Sequence, residues 1–171
     1  METKMDRDYF LRGVEQYEKG NNESAMNYMA DIVEWNPGNA EAWYYIGLIY
    51  YEWSNNQEEL FAYKQKALNA LSLAIAVSPN ADAYCIRGNV FYTLENYQRA
   101  IEDYTQAIAV YAAEKQNFAA FIFNRANANR ALGNQREAVA DYLKAKALQP
   151  LKYTKAYYEY LDEVGIDPDD D

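Results

Sequence analysis

Apolar residues recur at intervals of three and four positions along nearly the whole chain, and no useful length alternates between apolar and polar residues. That interval places side chains on one face of an α-helix, whereas strict alternation is typical of a strand. Turn-forming residues interrupt the pattern at 20–22, 36–39, 54–56, 78–80, 95–96, 133–134 and 149–150. The pattern predicts an all-α protein, with helices over residues 5–19, 22–35, 39–53, 57–77, 81–94, 97–114, 118–132, 135–148 and 152–164.

The helices repeat in pairs. A small residue stands in the first helix of each pair, at Gly13, Gly47, Gly88 and Ala126, and an alanine stands in the second, at Ala25, Ala67, Ala100 and Ala138. Small residues of this kind let two helices approach closely. The recurrence predicts a single repeat domain over residues 1–171, built of units at about 6–39, 40–80, 81–118 and 119–152. Each unit leaves an apolar face that the next unit must cover, so the units stack.

The third unit carries the most specific signature, RGNVFY at residues 87–92 followed by NYQRAIEDYTQAI at 96–108. The second unit matches it with Trp43, Gly47, Tyr50 and the closing Pro79. Over residues 6–150 the chain resembles the tetratricopeptide repeat family. The resemblance implies an α-solenoid of about four antiparallel helix pairs. Residues 152–164 suit a capping helix on the last open face, and residues 165–171 read as an acidic tail.

The second unit departs from this pattern, because its two small residues lie twenty positions apart (47 to 67) where the other units have twelve. We expect a turn at 54–56 and an extended start of the following helix. That arrangement leaves Leu60, Phe61 and Tyr63 beyond the neighbouring helices. The alternative to a partner-binding scaffold is a self-association module, in which this extended helix or an open end of the stack mediates a homodimer. The third unit also runs long, with residues 115–117 in place of the usual proline break.

Composition narrows the possible partners. The formal net charge is −10, which argues against nucleic acid and against an anionic membrane surface. A cationic partner fits this charge better, although solubility is the commoner reason for acidity. The first ten residues show no signal peptide and no apolar run approaches a membrane span, so the expected location is the cytoplasm.

No histidine occurs in the chain, and Cys85 is its single cysteine. The commonest general base and the usual metal ligand are therefore missing. The sequence also contains no glycine-rich phosphate loop and no metal-ligand spacing. We expect a protein that is not an enzyme, that needs no cofactor or metal, and in which Cys85 is a small apolar filler.

In the family that the chain resembles, ligands lie in a concave groove lined by the first helix of each pair. The resemblance implies a groove for a peptide or partner protein, lined by Phe10, Tyr17, Tyr44, Leu48, Tyr51, Asn89, Tyr92, Phe123, Asn124, Asn127 and Arg130. Tyrosine provides contact area at low entropic cost, amides can bond an extended peptide backbone, and Arg130 could meet a carboxylate. The alternative is that the aromatic stripe is simply core packing.

Two further expectations concern charged residues. Chaperone-binding members of the family grip a carboxylate with lysines and asparagines, but this chain has Phe10 and Val14 where that clamp needs Lys and Asn. Binding of a chaperone tail is therefore not expected. Arg12, Arg87 and Arg125 share one repeat position, and we expect them to pair with acids such as Asp103 or Asp141 on facing helices.

Overall fold

The computed structural model describes residues 4–56, 60–113 and 118–167. Within these ranges the chain forms nine α-helices and no strand. The helices are α1 (Lys4–Glu18), α2 (Asn22–Trp35), α3 (Ala40–Asn56), α4 (Leu60–Val77), α5 (Ala81–Thr93), α6 (Tyr97–Ala113), α7 (Ala119–Leu132), α8 (Gln135–Leu148) and α9 (Pro150–Val164). Each predicted helix corresponds to one observed helix, which confirms the all-α repeat class. Among the described helices, none combines the length and apolar character needed to cross a bilayer.

Three segments that carried expectations lie outside the described residues. They are the start of the predicted fourth helix at 57–59, the predicted break at 115–117 and the end of the predicted tail at 168–171.

Asparagine and glycine mark the observed helix ends. Asn39, Asn80 and Asn96 each accept, on the side-chain oxygen, a hydrogen bond from the backbone N–H three residues later, at 2.9, 3.0 and 3.4 Å. Such bonds satisfy donors that the first helical turn leaves without a partner. Gly133 and Gly165 end α7 and α9 with φ values of 78° and 69°, a left-handed conformation that favours glycine.

The predicted turn at 54–56 is wrong, because α3 continues to Asn56. Ser54 is fully buried, and its hydroxyl donates a 2.7 Å hydrogen bond to the Tyr51 carbonyl one turn earlier. A hydroxyl satisfied in this way lets serine remain inside a helix. Part of the extra length of the second unit therefore lies at the end of α3.

The start of α4 is exposed at two of the three predicted positions. Leu60 and Phe61 are 44% and 67% exposed. Tyr63 does not project beyond its neighbours, since its ring centroid lies 6.1 Å from that of Tyr50 and 5.7 Å from that of Trp53. Tyr63 therefore packs the start of α4 against α3.

The chain divides into two compact units, Met1–Val90 and Phe91–Asp171, here called unit 1 and unit 2. Each unit is described by itself, and the single domain over residues 1–171 stays a prediction. In unit 1, α1 packs on α2, α2 on α3, and α3 on α4. A Cβ atom added to Gly47 would lie 2.5 Å from Leu71 Cγ, and one added to Gly13 would lie 2.7 Å from Tyr28 Cβ. Glycine at these positions therefore sets the close approach of each helix pair.

In unit 2, α6 packs on α7, α7 on α8, and α8 on α9. Ala126 and Ala138 are fully buried where these helices meet, beside the buried Tyr142. The last helix, α9, contributes Tyr157, Tyr160 and Leu161 to the same core. This burial is what a helix that covers the final open face requires.

Candidate partner-binding faces

The predicted binding residues fall in both units. Unit 1 holds Phe10, Tyr17, Tyr44, Leu48, Tyr51 and Asn89, and unit 2 holds Tyr92, Phe123, Asn124, Asn127 and Arg130. Phe10 is a core residue, only 4% exposed, that packs with Met29, Ile32 and Ile46. Phe10 therefore packs α1 onto the core and exposes almost no surface.

The predicted tyrosines of α1 and α3, which are Tyr17, Tyr44 and Tyr51, are half-buried. Tyr17 donates a 2.5 Å hydrogen bond to the Glu52 carboxylate, whose other oxygen accepts a 2.7 Å bond from the Asn22 amide. Burial, followed by the bond to Glu52, raises the pKa of Tyr17 far above its ordinary value. Burial likewise raises the pKa of Tyr51. Both phenols are therefore neutral at physiological pH, and the bond to Glu52 holds Tyr17 in place.

Tyr45 joins this group, although it was not among the predicted residues. Its ring makes edge contacts with Phe10, Tyr17 and Tyr44, at centroid distances of 5.8, 5.4 and 5.5 Å. Burial raises the pKa of Tyr45, and the nearby charges of Glu18 and Glu41 raise it further. Its position directly after Tyr44, in the first helix of the second pair, was the available signal. We call Tyr17, Tyr44, Tyr45, Leu48 and Tyr51 the unit 1 face.

A cavity of about 310 Å³ opens beside the unit 1 face. Its lining residues come from the start of α3, the end of α4 and the turn that follows: Ala40, Glu41, Tyr44, Tyr45, Ala74, Ser78 and Asn80. We call it the Glu41 pocket. The Glu41 carboxylate also accepts a 2.8 Å bond from Arg7 of α1, and both side chains of this ion pair are well exposed, at 61% and 46%.

In unit 2 the predicted residues of α7 already have partners within the unit. The Phe123 ring stacks on Tyr153 of α9 at 4.7 Å, and the Asn127 side-chain oxygen accepts a 2.5 Å bond from the Tyr142 hydroxyl. Arg130 pairs with Glu163 of α9, with Nε 3.1 Å from Oε1. The carboxylate expected for Arg130 is thus one of the chain's own. We call Phe123, Asn124, Asn127 and Arg130 the unit 2 face.

Two predicted binding residues, Asn89 and Tyr92, lie outside both faces. Tyr92, also in unit 2, makes an edge contact with Tyr97 at 5.2 Å. Asn89 is partly buried near the end of unit 1.

The structural pairing expected of Arg125 is confirmed. Its guanidinium donates two 2.8 Å hydrogen bonds to the two carboxylate oxygens of Asp141 on α8 and a third, of 3.1 Å, to Thr105. The two side chains are 22% and 9% exposed, so the pair is largely withdrawn from water. Arg87 in unit 1 donates to Ser72 at 3.1 Å, and Arg12 is exposed.

Cys85 is buried, in keeping with its expected role as a filler. Across the described ranges no group of three or more acidic or cysteine side chains could hold a metal ion. What the two faces offer is aromatic surface, amides and the ion-paired Arg130, which are groups suited to binding a chain.

Comparison with known proteins agrees with the repeat pattern. Three family models described as tetratricopeptide repeat match residues 10–70, 81–111 and 119–150, which together make up most of the chain. The mitochondrial import receptor subunits TOM70 of Rattus norvegicus and of Mus musculus are each 35% identical over 88 residues. That match spans 51% of this chain but only 14% of each receptor.

Solved structures share the fold. MamA from Desulfovibrio magneticus RS-1 superposes with a TM-score of 0.79 at 17% identity, over 96% of this chain and 88% of that one. The Arabidopsis OM64 TPR domain gives a TM-score of 0.60 at 28% identity, over 72% of this chain and 94% of that domain.

Proposed function

We propose that this chain, which belongs to the tetratricopeptide repeat family, is a noncatalytic scaffold that holds a peptide or partner protein on the faces of its first helices. The observation that carries the proposal is the unit 1 face, where Tyr17, Tyr44 and Tyr45 lie together, half-buried and joined by ring contacts, and where Glu52 also holds the Tyr17 hydroxyl. Rigid aromatic side chains that lose little entropy are typical of binding surfaces.

The family supports a protein partner, and two relatives point in the same direction. TOM70 is named as an import receptor subunit, and OM64 shares the domain. Both likenesses are partial, so neither identifies a partner for this chain. A cytoplasmic location is part of the proposal and stays a prediction. Asn89 of unit 1, Tyr92 of unit 2 and the unit 2 face belong to the proposed surface as secondary contacts.

A random dodecapeptide display library tests the proposal. The whole chain should select binders, and the double variant Leu48→Ala/Tyr51→Ala should weaken the best of them at least tenfold in calorimetry. Leu143→Ala is the matched control, because Leu143 is 46% exposed on α8, outside both faces. Circular dichroism checks that each variant keeps its helices. Amide chemical shifts of the unmodified chain must also move at the unit 1 face, and shifts confined to other surfaces would contradict the proposal.

A second candidate function is self-association through the start of α4. The observation in its favour is the exposure of Leu60 and Phe61, at 44% and 67%. Sedimentation across a concentration series should then show a dimer that Leu60→Glu/Phe61→Glu dissociates. Leu73→Glu is the matched control, because Leu73 is 45% exposed on another side of α4. A chain that stays monomeric at every concentration removes this candidate.

A further inference from the structure

We propose that the Glu41 pocket receives an arginine side chain of the partner. This inference rests on the proposed function and specifies its chemistry. The pocket's volume of about 310 Å³ lies at the lower end of the range for small-ligand sites, which suits one long side chain. The described residues that line it include Glu41, two tyrosines, a serine and an asparagine, and none of these described residues is a lysine or arginine.

The aromatic walls favour a cation. Tyr44 and Tyr45 both line the pocket, with ring centroids 5.5 Å apart and planes inclined by 72°. Two rings set at this angle present different surfaces to one guest, and a cation over a ring face is attracted by the ring's quadrupole. Guanidinium gains more from such a surface than ammonium does, because it is planar, stacks on rings and is weakly hydrated.

The charge of the site has the complementary sign. Glu41 lies in the pocket wall and is 61% exposed, and Glu18 lies close enough to act with Glu41 on the Tyr45 phenol. The chain as a whole has a formal net charge of −10, which steers cationic segments toward it. A basic guest would therefore be attracted at long range and then held at one carboxylate.

The chain itself shows that the Glu41 carboxylate binds a guanidinium. Arg7 contacts Glu41 Oε2 at 2.8 Å while its guanidinium carbon lies 5.1 Å from the centroid of the Phe10 ring. A carboxylate has about four acceptor positions on two oxygens, so Glu41 has capacity for a second guanidinium. Because the Arg7–Glu41 pair is exposed, it is weak and can also yield to a guest that is better buried.

The test uses peptides that the whole chain selects from the dodecapeptide library. Arginine should recur at one fixed position of the enriched peptides. Replacing it by citrulline, which keeps the shape and removes the charge, should weaken binding of the best peptide about tenfold or more. With Glu41→Gln, the arginine peptide should lose a similar factor, whereas the citrulline peptide should bind almost as it does to the unmodified chain. This coupling is the signature of a direct contact.

Glu34→Gln is the matched control, because Glu34 is an exposed acid on α2 outside the pocket, and it should change neither affinity. Peptides that bind at the unit 1 face but show equal affinity for arginine and citrulline would overturn this inference and leave the proposed function standing. Selection of lysine in place of arginine, or of acidic peptides, would also overturn it. Failure to select any binder at the unit 1 face would contradict both.

Discussion

Unit 1 and unit 2 use the same helix-pair architecture but treat the polar side chains of their first helices differently. In unit 2, Asn127 and Arg130 of α7 are engaged by Tyr142 and Glu163, from the two helices that follow. In unit 1, Tyr44 and Tyr45 of α3 line a cavity whose carboxylate, Glu41, is exposed. The contrast teaches that a repeat position does not determine a binding role by itself. How far the side chain is buried among the groups of its own unit decides what it can offer to another molecule.

The largest expected effect is the difference in stability lost when the Arg125–Asp141 pair of unit 2 or the Arg7–Glu41 pair of unit 1 is removed. Asp141→Ala leaves the guanidinium of Arg125 largely buried without its carboxylate, so the free energy of unfolding should fall by about 3 kcal/mol, at the low end for broken buried pairs. Glu41→Ala removes an exposed ion pair from unit 1 and should change the free energy of unfolding by less than about 1 kcal/mol. Urea denaturation measures both. Equal losses would mean that burial does not distinguish the pairs.

An intermediate effect compares the small residues of the two units. Gly47→Ala places a Cβ 2.5 Å from Leu71 Cγ, and the overpacking should outweigh the gain in helix propensity by about 1 kcal/mol. The reverse change in unit 2, Ala126→Gly, should also cost about 1 kcal/mol, because glycine disfavours the helix. Thermal unfolding detects both changes. A Gly47→Ala variant that is more stable than the parent would show that α3 and α4 can separate freely.

The smallest effect is a dependence on alkaline pH that arises in unit 1. The hydrogen bond to Asp31, followed by burial, raises the pKa of Tyr9 to about 12 from its ordinary value of 10. A raised phenol pKa means that folding favours the neutral form, so this contribution is complete below pH 10 and is lost as pH rises toward 12. The free energy of unfolding of Tyr9→Phe should therefore fall less than that of the parent chain between pH 9 and 11.5. Urea denaturation at each pH measures both falls. Parallel losses in the two proteins would contradict this assignment.

Several features were predictable because they depend on neighbours in sequence. The three-to-four periodicity and the turn residues located the helices, and the recurring Gly and Ala positions located the close approaches. Arg125 was assigned a structural role because its repeat position points at the facing helix, and Asp141 meets it there. The turn at 54–56 was misjudged, since Ser and Asn favour turns in general but Ser54 bonds its own helix.

The composition of the binding faces was harder to predict. Phe10 and Tyr44 occupy equivalent repeat positions, yet Phe10 is buried in the core and Tyr44 lines a cavity. Tyr45 belongs to the unit 1 face because of its three ring contacts. Tyr63 packs against Tyr50 and Trp53 and does not project from the helix. Such outcomes depend on residues distant in sequence.

The sequence by itself determined the helices, their pairing and the family, because hydrophobic periodicity and small-residue spacing act over a few helical turns. Only the tertiary structure decided which polar groups are satisfied internally and which remain available to a partner. Glu163 reaches Arg130 across 33 positions, and Arg7 reaches Glu41 across 34. Burial and partnership of a side chain depend on helices brought together by packing, and no local pattern specifies them.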